Sequence, residues 1–212
     1  MPERVARPRF GTGTWWRYWI VDHAALRLVA RNHYRIDADV WRSNQPSFGQ
    51  LRRLKARGLR SVLSLRGDHR VTPVYVEKAA AEELGLTLEF ARLRAHKLPR
   101  ATDLQDAIDR MRRLPKPLLI HCKSGADRTG LMVTLYLHIE KGVPLAEARR
   151  ALSWRFAHFA RGRAGIVHEM LDAYAAAHAA RGIGFEDWLA TEYDRAALTA
   201  AFEARRRWPR GG

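Results

Sequence analysis

The sequence predicts an α/β fold: a central, mostly parallel sheet of about four or five strands flanked by helices, followed by a helical C-terminal half. Three observations carry this. Short apolar runs at 59–65, 86–93 and 117–121 are separated by stretches of helical periodicity, the alternation that builds a sheet covered on both faces. The run Pro117–His121 is apolar without alternation, as a strand buried on both sides requires. Beyond Pro144 the apolar residues recur only at helical spacing. No convincing linker divides the 212 residues. One domain is therefore expected over 15–204, with a flexible N-terminal arm at 1–14 and a basic C-terminal tail at 205–212.

The arm is marked by Pro2, Pro8, Gly11 and Gly13. Residues 15–30 read as a helix with one apolar face. Short strands follow around His33–Asp37 and Val40–Ser43. Pro46 and Ser47 start a helix through Leu51 and Leu54 that stops at Gly58. Leu59–Leu65 reads as a strand closed by Gly67. A helix from about Pro73 ends at Gly85, and Leu86–Leu93 returns as a strand. After the loop 94–102, Thr102 or Asp103 caps a helix carrying Ile108, Met111 and Leu114. Pro117–His121 is the next strand. Gly125–Thr129 turns into the apolar helix Thr129–Lys141, stopped by Gly142. Pro144 opens a helix to about Trp154. The rest is helical through Tyr174 and over Phe185–Phe202, where Phe185, Trp188, Leu189, Tyr193 and Phe202 form an aromatic stripe read as core packing.

Charge narrows the partners. The chain carries 38 lysines and arginines against 22 acids, a formal net charge of +16, and only Lys55, Lys78, Lys97, Lys116, Lys123 and Lys141 are lysine. Such an excess favours acidic partners, although arginines spread along the chain beside many alanines look more like coding bias in a GC-rich bacterial genome. The aromatics do not interleave with basic residues into an RNA-binding motif, so a nucleic-acid partner ranks last. One cysteine allows no internal disulfide and suits a reducing cytosol. No secretory leader is visible, and Trp15–Val29 is broken by Arg17, Asp22, His23 and Arg27, a poor membrane span. A cytoplasmic protein is the simplest inference. The Trp15–Trp19 cluster can touch a membrane surface or pack on the core, and its amphipathic pattern favours the core.

The informative segment is Ile120-His-Cys-Lys-Ser-Gly-Ala-Asp-Arg-Thr-Gly130. It follows a buried strand and opens a helix, whose first N–H groups lack intrahelical partners and carry positive partial charge. A loop there cradles an anion. A cysteine at its base is pushed toward thiolate, the nucleophilic form. Five residues separate Cys122 from Arg128, which brings a guanidinium round to face the sulfur across a bound phosphoryl group. Gly125 supplies backbone freedom. Thr129 can donate to the sulfur and ease its departure.

These residues resemble the H-C-x5-R-S/T-G phosphate-binding loop of the protein tyrosine phosphatase superfamily, matching at His121, Cys122, Gly125, Arg128, Thr129 and Gly130. Val40–Pro46 and Leu59–Gly67 are similar to the R-S-x-Q-P and T-V-I-N-L-R segments of bacterial dual-specificity-like members, as is Ala126-Asp127 within the loop. The likeness covers about residues 33–175. It implies a phosphatase-like fold and a two-step reaction through a phosphocysteine on Cys122, with Arg128 and the backbone N–H groups of Lys123, Ser124, Gly125, Ala126, Asp127 and Arg128 holding the phosphate. His121 and Thr129 support the thiolate. No metal or other cofactor is implied, and no H-E-x-x-H or paired-cysteine pattern is present.

The family also places an aspartate upstream to protonate the leaving oxygen, yet Glu89–Lys97 contains none. Asp103, Asp127, Asp68 and His96 remain, with Asp103 slightly favoured although it also suits a helix cap. His158, His168 and His178 show no ligand spacing. Substrates stay open between phosphotyrosine or other phosphoproteins and, given Lys123 at the loop rim, phosphoinositides or inositol polyphosphates. A catalytically inactive phosphate-binding module is the alternative of another class.

Overall fold

The computed structural model describes residues 32–68 and 72–207. The arm at 1–14, the expected helix at 15–30 with its Trp15–Trp19 cluster, and residues 208–212 of the tail lie outside the described residues.

Among the described residues five strands form one sheet: β1 (Tyr34–Arg35), β2 (Val40–Ser43), β3 (Ser61–Ser64), β4 (Thr87–Phe90) and β5 (Leu118–His121). Their order is β1-β2-β5-β3-β4, with β1 antiparallel to β2 and every other neighbouring pair parallel. This is the mostly parallel sheet that the alternating pattern predicts. The last strand enters the middle of the sheet, between β2 and β3, and such a switch point opens a crevice beyond the carboxyl ends of the strands.

Helices cover both faces because side chains alternate across the strands. Leu118 and Ile120 of β5 join Leu63 on one side, while Leu119 joins Val62 and Trp41 on the other. The three β5 residues are fully buried, each contributing about 1.5–3 kcal/mol. Helices α1 (Phe48–Ala56) and α2 (Thr72–Leu84) cover the Leu119 face through Leu51, Leu54, Ala80 and Ala81. The other face is covered by α3 (Ala101–Arg113) and α4 (Asp127–Leu135), and then, beyond the short α5 (Leu145–Ala148), by α6 (Ile166–Arg181) and α7 (Phe185–Thr191). Helix α8 (Arg195–Arg207) packs on α6 and takes in Arg205–Arg207 of the expected tail. The aromatic stripe is core: Phe185 is buried edge-to-face with Tyr174, Trp188 is buried tilted against both rings, and Tyr193 and Phe202 pack against the same cluster.

The start of α1 is set by a reciprocal cap. Ser47 Oγ accepts from Gln50 N at 3.3 Å and Gln50 Oε1 accepts from Ser47 N at 2.7 Å. Two expected boundaries move. Helix α3 is capped by Arg100, not by Thr102 or Asp103, and Arg100 makes no side-chain cap bond. Leu104 N reaches back to Arg100 O at 3.0 Å, which places Asp103 inside the first turn. The expected helix from Pro144 to Trp154 breaks after Ala148 into short 3-10 turns at Arg149–Ala151 and Trp154–Phe156. Its carbonyls are claimed from outside, Ala148 O by the Thr134 hydroxyl and Ala151 O by Arg42, so they do not serve a continuing helix. Helix α4 starts at Asp127, two residues early, and its last turn, Tyr136–Glu140, is π-helical. Among the described residues no helix is long and apolar enough to cross a membrane.

Candidate active site

The segment after β5 wraps the N-terminus of α4. Ala126, the cap of α4, offers no side chain to the first-turn N–H groups, which leaves their partial positive charge directed at the loop. Cys122 is fully buried at its base, and Gly125 N donates to the sulfur at 3.3 Å. Burial alone would push the thiol's proton affinity up. The Arg128 guanidinium opposes it most, followed by the Thr129 hydroxyl and the N–H groups of Thr129 and Gly125, and together they hold the thiol below its ordinary value. The Thr129 hydroxyl is buried with no hydrogen-bond partner of its own, and its effect on the thiol favours the ionised sulfur.

Glycine at 125 is a steric requirement. Its φ is +72°, and a Cβ there would stand 2.7 Å from the backbone of Ser43 and Asn44. The loop is pressed against the end of β2, and the Arg42–Pro46 segment holds it there. Arg42 is fully buried. It donates to Gly125 O at 2.7 Å and Ala151 O at 2.8 Å, and lies 3.9 Å over the Phe156 ring. Burial lowers the Arg42 pKa to about 10, with the Cys122 and Tyr34 charges pulling it back up. Gln45 N donates to Lys123 O at 3.3 Å, and Gln45 Oε1 accepts from Arg66 at 2.7 Å. The R-S-x-Q-P pattern is therefore the loop's buttress, a role its resemblance alone does not disclose.

Arg128 is anchored by the strand ends. Its Nη1 donates to Leu65 O and Leu93 O, both at 3.3 Å, the carbonyls just past β3 and β4. The adjoining pocket, a cavity of about 370 Å3, is lined by Arg66, Arg92, Arg94, Lys123 and Arg128 with Val74, Leu93 and Ala95. Among the described residues the lining has five cationic side chains and no carboxylate. His121 sits behind the loop, its Nε2 2.5 Å from Glu77 Oε1 with neither side chain exposed. That contact is close but poorly aligned, and neither Glu77 oxygen has a hydrogen-bond partner.

The four acid candidates separate. Asp68 is exposed and paired with Lys78 at 2.7 Å. Asp103 occupies the first turn of α3. Asp127 and His96 meet: Asp127 Oδ2 is 3.8 Å from His96 Nδ1, and Oδ1 is 2.7 Å from His158 Nδ1. His96 adopts a left-handed φ of +58° beside Ala95 and Arg94 of the pocket wall. His158 and His168, without recognisable spacing in the sequence, stand 3.0 Å apart at Nε2. No local signal marks them, because the contacts link Asp127 to residues 31 positions and more away.

A sheet of this order with a cysteine–arginine loop at its switch point defines a member of the protein tyrosine phosphatase superfamily, of the dual-specificity-like kind. Residues 26–164 match the family described as "DSP-PTPase phosphatase fused to NAD+ Kinase", and the chain belongs to it. That membership supports a phosphoric monoester hydrolase. No curated protein matches the chain in sequence. Among solved structures, TpbA from P. aeruginosa is 21% identical, with 81% of this chain and 92% of that one covered and a TM-score of 0.53. Tk-PTP in its active form is 22% identical over 66% of this chain and 97% of its own, with a TM-score of 0.51. A putative phosphatase from Neisseria meningitidis is 18% identical over 66% and 95%, also at 0.51. At these identities the likeness is one of fold.

Proposed function

We propose that the chain hydrolyses phosphomonoesters through a covalent phosphocysteine on Cys122. The observation that carries this is the lone thiol, buried under loop N–H groups and Arg128 and held below its ordinary proton affinity. The thiolate attacks phosphorus in line, forming the P–S bond as the ester P–O bond breaks. The leaving oxygen takes a proton from an acid. Water then attacks phosphorus, returning its proton to that group, and the P–S electrons leave with sulfur as thiolate, eased by the Thr129 hydroxyl. The products are the alcohol and inorganic phosphate. Loop N–H groups and Arg128 hold the equatorial oxygens throughout.

For the acid we favour Asp127 over Asp103, because Asp127 is the carboxyl held within the loop, with Oδ1 fixed by His158 and Oδ2 left on the His96 side. Asp127→Asn is expected to lower kcat on an alkyl phosphate by about 10^2-fold, and much less on an aryl phosphate, whose phenolate leaves without help. Asp103→Asn, Asp68→Asn and His96→Ala are measured alongside. A selective alkyl loss in one of these, with Asp127→Asn unaffected, reassigns the acid.

Phosphotyrosine in proteins is the first substrate reading, and TpbA has been solved in complex with phosphotyrosine. A second reading, a small molecule with two or more phosphates such as an inositol polyphosphate, is favoured by one observation. Arg66 and Arg92 oppose each other across an isolated bridge just past β3 and β4, and both line the pocket. Like charges set opposite one another cost stability, and a second phosphate between them offsets that cost. Arg92→Ala is expected to raise KM for inositol polyphosphates about tenfold and to leave KM for a phosphotyrosine peptide unchanged. A rise for the peptide alone favours the phosphoprotein reading.

A further inference from the structure

A line of side chains leads away from the catalytic loop to the surface of α6. Asp127 Oδ1 is 2.7 Å from His158 Nδ1, His158 Nε2 is 3.0 Å from His168 Nε2, and His168 Nδ1 is 3.3 Å from Arg149 Nη2. Arg149 is in turn held by Asp172, Nη1 to Oδ1 at 2.6 Å. His158 has no exposed side-chain surface.

The direction of every bond follows from one end. A guanidinium donates and never accepts, so His168 Nδ1 must be the bare nitrogen. A neutral His168 then carries its proton on Nε2 and donates it to His158 Nε2. His158, bare at Nε2, carries its proton on Nδ1 and donates it to Asp127 Oδ1. No other arrangement of two neutral imidazoles satisfies all three contacts. We propose that Arg149, His168 and His158 are positioning residues that act through Asp127, locking its carboxyl with Oδ1 turned inward and Oδ2 presented toward the loop's substrate side. This rests on the reading of Asp127 as the proton donor: a carboxylic acid must keep its proton on the oxygen that faces the leaving group, and a donor fixed on Oδ1 excludes the proton from that oxygen.

The contacts leave no acceptor for a second proton on either ring. A second proton on His158 Nε2 would face the His168 Nε2–H, and one on His168 Nδ1 would face Arg149. The charged and titratable groups around the pair are Asp127 and His96 at the loop end, and Arg149 and Asp172 at the other, with the neighbouring Glu169 engaged by Arg205. Burial first, then His158 and Arg149, lower the proton affinity of His168 against the pull of Asp172. His168 therefore stays neutral to lower pH than an ordinary histidine, and its Nε2–H stays directed at His158.

Two measurements test this. Long-range 15N–1H spectra of the wild-type protein report the tautomers directly. The expected result is His158 protonated at Nδ1 and His168 at Nε2 near neutral pH, with Arg149→Met making the His158 tautomer mixed. His158 protonated at Nε2 in the wild type overturns the chain. Kinetically, His158→Phe is expected to lower kcat on an alkyl phosphate about tenfold, with aryl phosphate turnover and both KM values unchanged. His158→Asn, whose amide nitrogen takes the place of Nδ1, recovers most of that loss. Added to Asp127→Asn, His158→Phe costs nothing further, as residues acting through one another require. An equal loss on aryl and alkyl substrates, or an additive loss in the double variant, overturns the positioning role. If Asp127→Asn itself leaves alkyl turnover intact, the acid assignment fails, while the tautomer result still decides whether the chain exists.

Discussion

Cys122→Ser is expected to lower phosphatase activity on an aryl phosphate by on the order of 10^4-fold or more, with the fold retained. The substitution changes one atom inside the loop. The same groups that favour the thiolate, Arg128, the Thr129 hydroxyl and the N–H groups of Thr129 and Gly125, start from a hydroxyl whose proton is held far more tightly, and they do not ionise it at neutral pH. Since this is the chain's one cysteine, a thiol reagent reads the nucleophile without interference. Alkylation by iodoacetamide should titrate below the ordinary thiol range, because the sulfur's proton affinity is lowered. As pH falls through that point the sulfur gains a proton, and alkylation and hydrolysis fall together. Chelator should leave the wild-type rate unchanged. Turnover that survives in Cys122→Ser, or that chelator removes, would falsify the thiolate mechanism.

What could be read from the sequence divides by range. The loop's placement was legible because its residues are neighbours: Cys122, Gly125 and Arg128 sit within seven consecutive residues between a strand and a helix. The three inner parallel strands were legible because β3, β4 and β5 lie in apolar runs, although each is shorter than its run. Leu65 and Leu93 lie past the ends of β3 and β4, where their carbonyls turn to Arg128, and periodicity does not register a strand bending toward a site. The start of α3 was misplaced because Thr102 and Asp103 look like caps, while the chain enters the helix through extended Arg100. The break after Ala148 follows from Thr134 and Arg42, more than ten residues away. The same limit hid the pairing of His158 with Asp127 and His168, since a hydrogen bond between distant segments leaves no spacing to read.

The fixed geometry of Arg128 makes a conservative substitution there severe. Its Nη1 is engaged by Leu65 O and Leu93 O, which sets the plane of the guanidinium and leaves its remaining N–H groups for two phosphoryl oxygens at once. Arg128→Lys keeps a positive charge, so part of the electrostatic support for the Cys122 thiolate remains. A single ammonium has three donors on a flexible stem and no plane, and it cannot serve both strand carbonyls and two equatorial oxygens. Charge on those oxygens is stabilised most in the transition state, so the loss is expected in kcat, by about 10^3-fold. It should be the same on aryl and alkyl phosphates, because the clamp acts on oxygens that stay with phosphorus. That equality separates Arg128 from the acid, whose removal discriminates between the two leaving groups. If Arg128→Lys retains more than about a tenth of the wild-type kcat, a point charge is sufficient at this position and the clamp assignment fails. A large loss confined to the alkyl substrate would instead place Arg128 on the leaving-group side.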